Sequence, residues 1–270
     1  MDYKGGRSSG IYYINSKNRI TGTDSDFTHS VDLRGLDSPT HCKILHIYIP
    51  KSYYSVASPY NTFTLSEDGY EVLITIPEGN YTMNNLKNKL SEVLTAESPN
   101  DYTYVVSSNN TNIEPEDGKL TFNVSNNGGI QPRFIFDNET RIHEIMGFDR
   151  NSTYFFANGF IRSPNVIILT GEKTLYLQSD LVGEGDNHVL QEIYTANEIP
   201  FGSVIYDGSG SEYGKALSAS SNNVFRFYLT DENDQPINLN GLGIVMTLLV
   251  YRETNYFNLF TSFFNLLKSR

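Results

Sequence analysis

Hydrophobic and polar residues alternate with period two along most of this chain. Phe63 and Leu65 lead into Glu67-Asp68-Gly69, after which Val72, Ile74 and Ile76 alternate with Glu71, Leu73 and Thr75. That is the pattern of a β-hairpin with one buried face. Pro115-Glu116-Asp117-Gly118 is a second turn, and it opens a strand in which Leu120, Phe122 and Val124 point one way. Asn126-Asn127-Gly128-Gly129 closes that strand, and Phe134 and Phe136 resume the alternation. Val166 to Leu169, Gly171-Glu172 and Leu175 to Leu177 read as a third hairpin. Phe225, Phe227 and Leu229 form a strand that ends at the turn Asp231-Glu232-Asn233-Asp234. Ile244 to Tyr251 is apolar on both faces, which predicts a central strand. Val72, Ile74, Ile76, Leu120, Phe122, Phe225, Phe227 and Leu229 are expected to face a shared core. Strands at this spacing, separated by Gly and Asn turns, predict a mainly β sandwich or barrel.

Helical periodicity is confined to three places. Tyr81 to Thr95 sets Met83, Leu86, Leu90, Val93 and Leu94 on one face, with Thr82 as N-cap. Asn138 to Met146 predicts a short helix with Ile142, Ile145 and Met146 inward. Asn255 to Lys268 is the third, within a tail of residues 253–270. Its polar residues make one narrow stripe, and Tyr256, Phe257, Phe260, Phe263, Phe264 and Leu267 are its candidate interface residues. The simplest organisation is one sandwich domain over residues 11–252, with room for an insertion around 80–160. A flexible N-terminal arm over residues 1–10 precedes it, because that stretch is polar, Gly-rich and without apolar period.

Composition narrows the function. The chain has 270 residues, 39% hydrophobic and 19% charged, with 19 Tyr, 16 Phe and no Trp. Low charge with many aromatics argues for a packed fold rather than disorder. The net charge of −11, with no run of Lys and Arg, disfavours direct nucleic-acid binding. Met1 to Gly10 lacks the apolar core of a signal peptide, and no window is long and apolar enough for a spanning helix. The lone Cys42 has no cysteine to pair with and reads as a small buried hydrophobe.

Candidate chemistry is sparse. The phosphate-binding, dinucleotide, zinc-protease and nucleophile-elbow motifs do not occur. His41, Cys42 and His46 lie close in sequence, and in a regular strand His46 shares a face with Cys42. A third and a fourth ligand are not visible. Asp231, Asn233 and Asp234 resemble the start of a calcium loop without its later Gly and Glu, so an ordinary turn is expected. No catalytic residue, metal or cofactor is expected.

The order of several segments resembles a known family. The segments are Ile11-Tyr12-Tyr13-Ile14-Asn15-Ser16-Lys17-Asn18-Arg19 with Phe27 to Leu33, and Ile44 to Val56 with its Ile49-Pro50-Lys51-Ser52-Tyr53-Tyr54 turn. Ile74 to Thr82 follows, then Ile145-Met146-Gly147-Phe148, then Leu229-Thr230-Asp231 through Gln235 to Gly241. The series resembles the penton and other minor capsid proteins of virophages, polinton-like viruses and large eukaryotic DNA viruses, over roughly residues 11 to 251. That resemblance implies a jelly roll of two antiparallel sheets and a homopentamer at the vertices of an icosahedral capsid. The implied location is the virion, assembled in host cytoplasm. The implied partners are further copies of the chain and neighbouring major-capsid capsomers, with membrane contact only through the C-terminal helix. The rivals are a minor capsid or cement protein beneath the shell, a carbohydrate-binding sandwich such as a fibre head or lectin, and a hydrolase on a β-sandwich.

Overall fold

The computed structural model describes residues 7–108, 117–137, 141–169, 172–183, 187–195, 199–208, 214–218 and 223–253. The chain divides into two compact units: residues up to Tyr53 together with those from Glu172 onward, and the inserted residues Tyr54–Gly171. The first unit opens with β1 (Ser9–Asn15), β2 (Thr21–Gly22), β3 (Asp26–Ser30) and β4 (His41–Pro50). The inserted unit holds β5 (Thr62–Glu67), β6 (Tyr70–Thr75), α1 (Met83–Ala96), β7 (Thr103–Ser108), β8 (Leu120–Ser125) and β9 (Arg133–Phe136). It continues with α2 (Ile142–Met146), β10 (Ser152–Phe155) and β11 (Phe160–Arg162). The chain then returns to the first unit with β12 (Thr174–Ser179), β13 (Val189–Tyr194), β14 (Val204–Asp207), β15 (Lys215–Ala216), β16 (Val224–Thr230) and β17 (Val245–Tyr251).

The first unit is a jelly roll. One sheet runs β1-β17-β4-β14, with β15 also on β4, and the other runs β13-β12-β16-β3-β2. Set aside the two-residue strands β2 and β15. The remaining strands, counted along the chain, then pair first-eighth-third-sixth and fifth-fourth-seventh-second, all antiparallel. The two sheets each keep two edge strands, β1 and β14 in one and β13 and β2 in the other. Their facing side chains form one core that includes Ile14, Phe27, Ile44, Leu177, Phe227 and Leu248. Phe27 and Phe227 stack across the β3–β16 pair with centroids 5.8 Å apart.

The inserted unit has its own core. Its sheets are β10-β9-β5-β6 and β11-β8-β7, and α1 packs against β7 and β6. Thr82 caps α1, its Oγ1 accepting from the Asn85 amide at 3.3 Å, and Leu86, Leu90 and Leu94 are buried. An aromatic cluster fills the centre. Phe134 meets Phe63, Phe122 and Phe156 edge-to-face at 5.2, 5.2 and 5.0 Å, the geometry the ring quadrupoles favour.

Several expectations are corrected here. The alternating strands do not share one core: Ile74, Ile76, Leu120 and Phe122 belong to the inserted unit, with Val72 packed against them, whereas Phe225, Phe227 and Leu229 belong to the jelly roll. Alternation fixes which face a residue takes but not which sheet receives it. Where the sequence left room for an insertion around 80–160, the inserted unit runs from Tyr54 to Gly171. Val166–Leu169 and Leu175–Leu177 do not form a hairpin. β12 pairs with β13 and β16, and the Ile167 amide bonds to the Gly118 carbonyl. The end of the expected N-terminal arm is ordered backbone, because β1 starts at Ser9 and Arg7 bridges to Leu36. α2 begins at Ile142, and residues 138–140 of the expected helix lie outside the described residues.

Candidate interaction surfaces

The outer face of the β1-β17-β4-β14 sheet is built by an irregularity in β4. Opposite β17 the register shifts between Thr247 and Leu248, which pair with His46 and Ile44, so Leu45 is the extra residue of a β-bulge. Cys42 and Ile44 point into the core before it, and Ile47 and Ile49 do so after it. His46 is therefore turned to the outer face, away from Cys42. A regular strand would have put the two together, and the bulge separates them. His41 and His46 lie on the outside with Lys43 and Tyr48, while the thiol is fully buried. Among the described residues no group of three or more His, Cys, Asp or Glu is placed to hold a metal ion.

This outer face is apolar and aromatic. Across it, Tyr13 pairs with Thr247 and Thr247 with His46. In the next row Val245 pairs with Tyr48 and Tyr48 with Tyr206. Tyr13 is 79% exposed and Tyr206 54%, and Ile11, Tyr48, Val204 and Val245 are exposed as well. The Tyr48 and Tyr206 rings lie 4.9 Å apart, and the Tyr206 hydroxyl is 3.2 Å from His46 Nδ1. β17 is central in its sheet, as its two apolar faces predict, yet its outer face is only partly covered by described residues. At the far end of the face, His41 Nε2 is 3.1 Å from a Glu253 carboxylate oxygen and the His41 ring is tilted on Tyr251. Burial pushes the Tyr251 hydroxyl pKa up, and the Glu253 charge adds to the shift. A contiguous apolar face rimmed by polar groups is the usual form of a protein-contact surface.

The second sheet carries a groove of about 770 Å³ on its outer face, lined by Tyr176, Gln178, Val189, Tyr228, Glu232 and Asp234 among others. Its floor is pinned by hydrogen bonds. Gln178 Nε2 donates to Thr230 Oγ1 at 2.8 Å and Asp234 Oδ1 at 3.0 Å, and the Tyr228 hydroxyl donates to Gln178 Oε1 at 2.9 Å. Arg226 lies over the Tyr228 ring at 4.4 Å and makes a two-pronged bond to Asp26, both contacts at 2.7 Å. Asp231 closes the neighbouring turn, its Oδ1 accepting from the Asn233 and Gln235 amides at 2.7 and 2.9 Å. This is the expected ordinary turn.

The tail residues Tyr256, Phe257, Phe260, Phe263, Phe264 and Leu267 lie outside the described residues. Sequence reasoning missed Tyr13, Tyr48 and Tyr206 as a surface. The available signal was the run of Tyr and His at alternate positions of short strands, which the bulge disguises. Among the described residues no helix is long and apolar enough to cross a membrane.

No protein-family model matches the chain, and no curated protein matches it. Among solved structures, the crystal structure of selenomethionine-labelled mavirus penton protein is similar. The identity is 11% and the TM-score 0.41, over 90% of this chain and 99% of that one.

Proposed function

We propose that this chain is a structural capsid protein whose jelly roll forms the pentameric vertex capsomer of an icosahedral virion, with neighbouring major-capsid capsomers as its further partners. One observation supports the reading: three of the five penton-like segments of the sequence fall on or next to jelly-roll strands, while Ile74 to Thr82 and Ile145 to Phe148 lie in the inserted unit. Ile11 to Leu33 runs from β1 through β3, Ile44 to Val56 begins in β4, and Leu229 to Gly241 leaves β16 on the way to β17. The two outer sheet faces lie on opposite sides of the sandwich, and a contact between unlike faces is the kind that generates rings. The role is mechanical, and no chemistry is assigned to it. The test is the mass of the purified protein in solution, with images of negatively stained particles. Five-fold rings are expected. A protein that stays monomeric at high concentration and is absent from purified virions would overturn the reading.

A second reading has its own observation. The groove on the second sheet combines the rings of Tyr176 and Tyr228 with the fixed polar atoms of Gln178 and Asp234, a combination suited to a sugar. Specific binding on a glycan array, lost on Tyr176→Ala, would favour a carbohydrate-binding module.

A further inference from the structure

We infer that copies of this chain meet head to tail, the aromatic outer face of the β1-β17-β4-β14 sheet of one copy seating against the acidic groove on the β13-β12-β16-β3-β2 sheet of the next. The inference rests on the capsid reading and names the contact from which its ring would be built.

The first face is raised and short of acid. The Tyr48 and Tyr206 rings lie 4.9 Å apart, the His46 ring stacks on Tyr206 at 6.2 Å, and Val245 is exposed beside Tyr48. Tyrosine is enriched at the cores of protein contacts. The outward side chains of β1, β4, β14 and β17 include Lys43, His41 and His46 but no carboxylate. Asp207 pairs with the inward Ile47, and its Oδ2 accepts from Gln191 Nε2 of the other sheet at 3.1 Å. Glu253, past the end of β17, is held by His41.

The second face is hollow and acidic. Glu232 and Asp234 line the groove, and Glu192 stands beside it, opposite Tyr176 in the β12–β13 pair. Burial pushes the Tyr176 hydroxyl pKa up, and the charges of these three carboxylates push the same way. The nearby Arg226 does not offset them, because Asp26 engages its charge in two contacts of 2.7 Å. Tyr194, two residues beyond Glu192, points to the same side and is exposed.

The two faces suit each other better than either suits itself. Two copies of the first face would bring Lys43 and the imidazoles together and leave the groove empty. Two copies of the second would bring carboxylates together. Like charges set against each other cost affinity, whereas opposite potentials steer and fix the docking. In the unlike contact, tyrosine rings meet tyrosine rings and Lys43 meets carboxylate. Because the faces lie on opposite sides of one sandwich, each terminal copy keeps one face unused, and copies add until the rotation closes.

The test uses two variants of the full chain. One carries Tyr13→Asp and Tyr206→Asp on the first face, the other Tyr194→Lys and Glu232→Lys on the second, and all four side chains are exposed. Each variant alone is expected to lose about tenfold or more in self-association and to sediment as a monomer where the native chain assembles. An equimolar mixture is expected to give a one-to-one heterodimer that grows no further, since each partner supplies one intact face. Melting temperatures check the fold, and Lys43→Glu or Glu192→Lys replaces a pair that lowers them. A mixture of folded variants that stays monomeric overturns the inference, as does native-like assembly by either variant alone. Rings that survive in both variants overturn it while leaving the capsid reading in place. Open filaments that both variants abolish uphold the contact and overturn the five-fold ring. A native chain that stays monomeric overturns the inference, whereas the capsid reading falls only if the chain is also absent from virions.

Discussion

The Tyr104 hydroxyl donates to a carboxylate oxygen of Glu67 at 2.7 Å, in the interior of the inserted unit. Glu67 is 0% exposed, yet its oxygens also accept from Ser98 Oγ at 2.9 Å and from the Asn100 amide at 3.1 Å. The carboxylate fastens the loop after α1 to the end of β5. Burial, with the hydrogen bond and charge of Glu67 behind it, pushes the Tyr104 pKa far up, so the hydroxyl remains a donor. Tyr104→Phe removes one of the donors and should cost about 1–3 kcal/mol in urea unfolding. Glu67→Ala should cost more, about 3–5 kcal/mol, because it strands several buried donors at once.

Two glycines at positive φ should respond differently to alanine. Gly147 ends α2 at φ 76°, and a Cβ there would sit 2.4 Å from the Asn165 carbonyl oxygen. Gly69, at φ 87° in the β5–β6 turn, has open space around the same position. Gly69→Ala should cost only the backbone preference, about 1 kcal/mol. Gly147→Ala should cost at least twice as much, and thermal melts of the two variants should separate them.

Two cores imply local responses to core damage. Phe134→Ala removes the ring at the centre of the inserted unit's cluster and should cost about 3–5 kcal/mol. Hydrogen exchange should accelerate in β5 to β11 and stay unchanged in the jelly-roll strands. Phe227→Ala should give the converse. Equal acceleration in both units after either change would contradict the separation of the cores.

Asp32 should titrate as an unusually strong acid. Hydrogen bonds from the Arg34 side chain and amide hold its carboxyl pKa at about 2. A lowered folded-state pKa stabilises the fold above the ordinary carboxylate pKa of about 4, and that contribution is lost as pH falls from about 4 through 2. The group is exposed, so the effect on stability is small and screened by salt. The measurement is the carboxyl chemical shift of Asp32 against pH. Arg34→Ala should move its midpoint back up toward about 4.

What the sequence reveals and what it hides follow from the range of each interaction. α1 is legible because the Thr82 cap and the Leu86, Leu90 and Leu94 stripe are local features. β5, β6, β8, β16 and β17 are legible because alternation is local as well. The bulge at Leu45 is not, since one extra residue leaves composition unchanged while inverting every side chain beyond it. Glu67 reads as the first residue of a polar turn, because its partners Ser98 and Tyr104 lie 31 and 37 residues further on. The outer-face surface needed strand order as well as strand position, since Tyr13, Tyr48 and Tyr206 come from three distant strands.

The inserted unit also shapes the route by which the chain reaches its fold. β4 and β12 are consecutive jelly-roll strands, yet residues 54–171 lie between them. Joining them into one sandwich while that stretch is still open means closing a loop of more than a hundred residues. The entropy of closure rises with loop length, and non-local pairing is slow. The inserted unit is rich in nearer pairings, such as β5 with β6 and β7 with β8. Collapsing those first turns a long flexible loop into a compact bead. The jelly-roll strands on either side are then joined by a segment that has already spent most of its freedom.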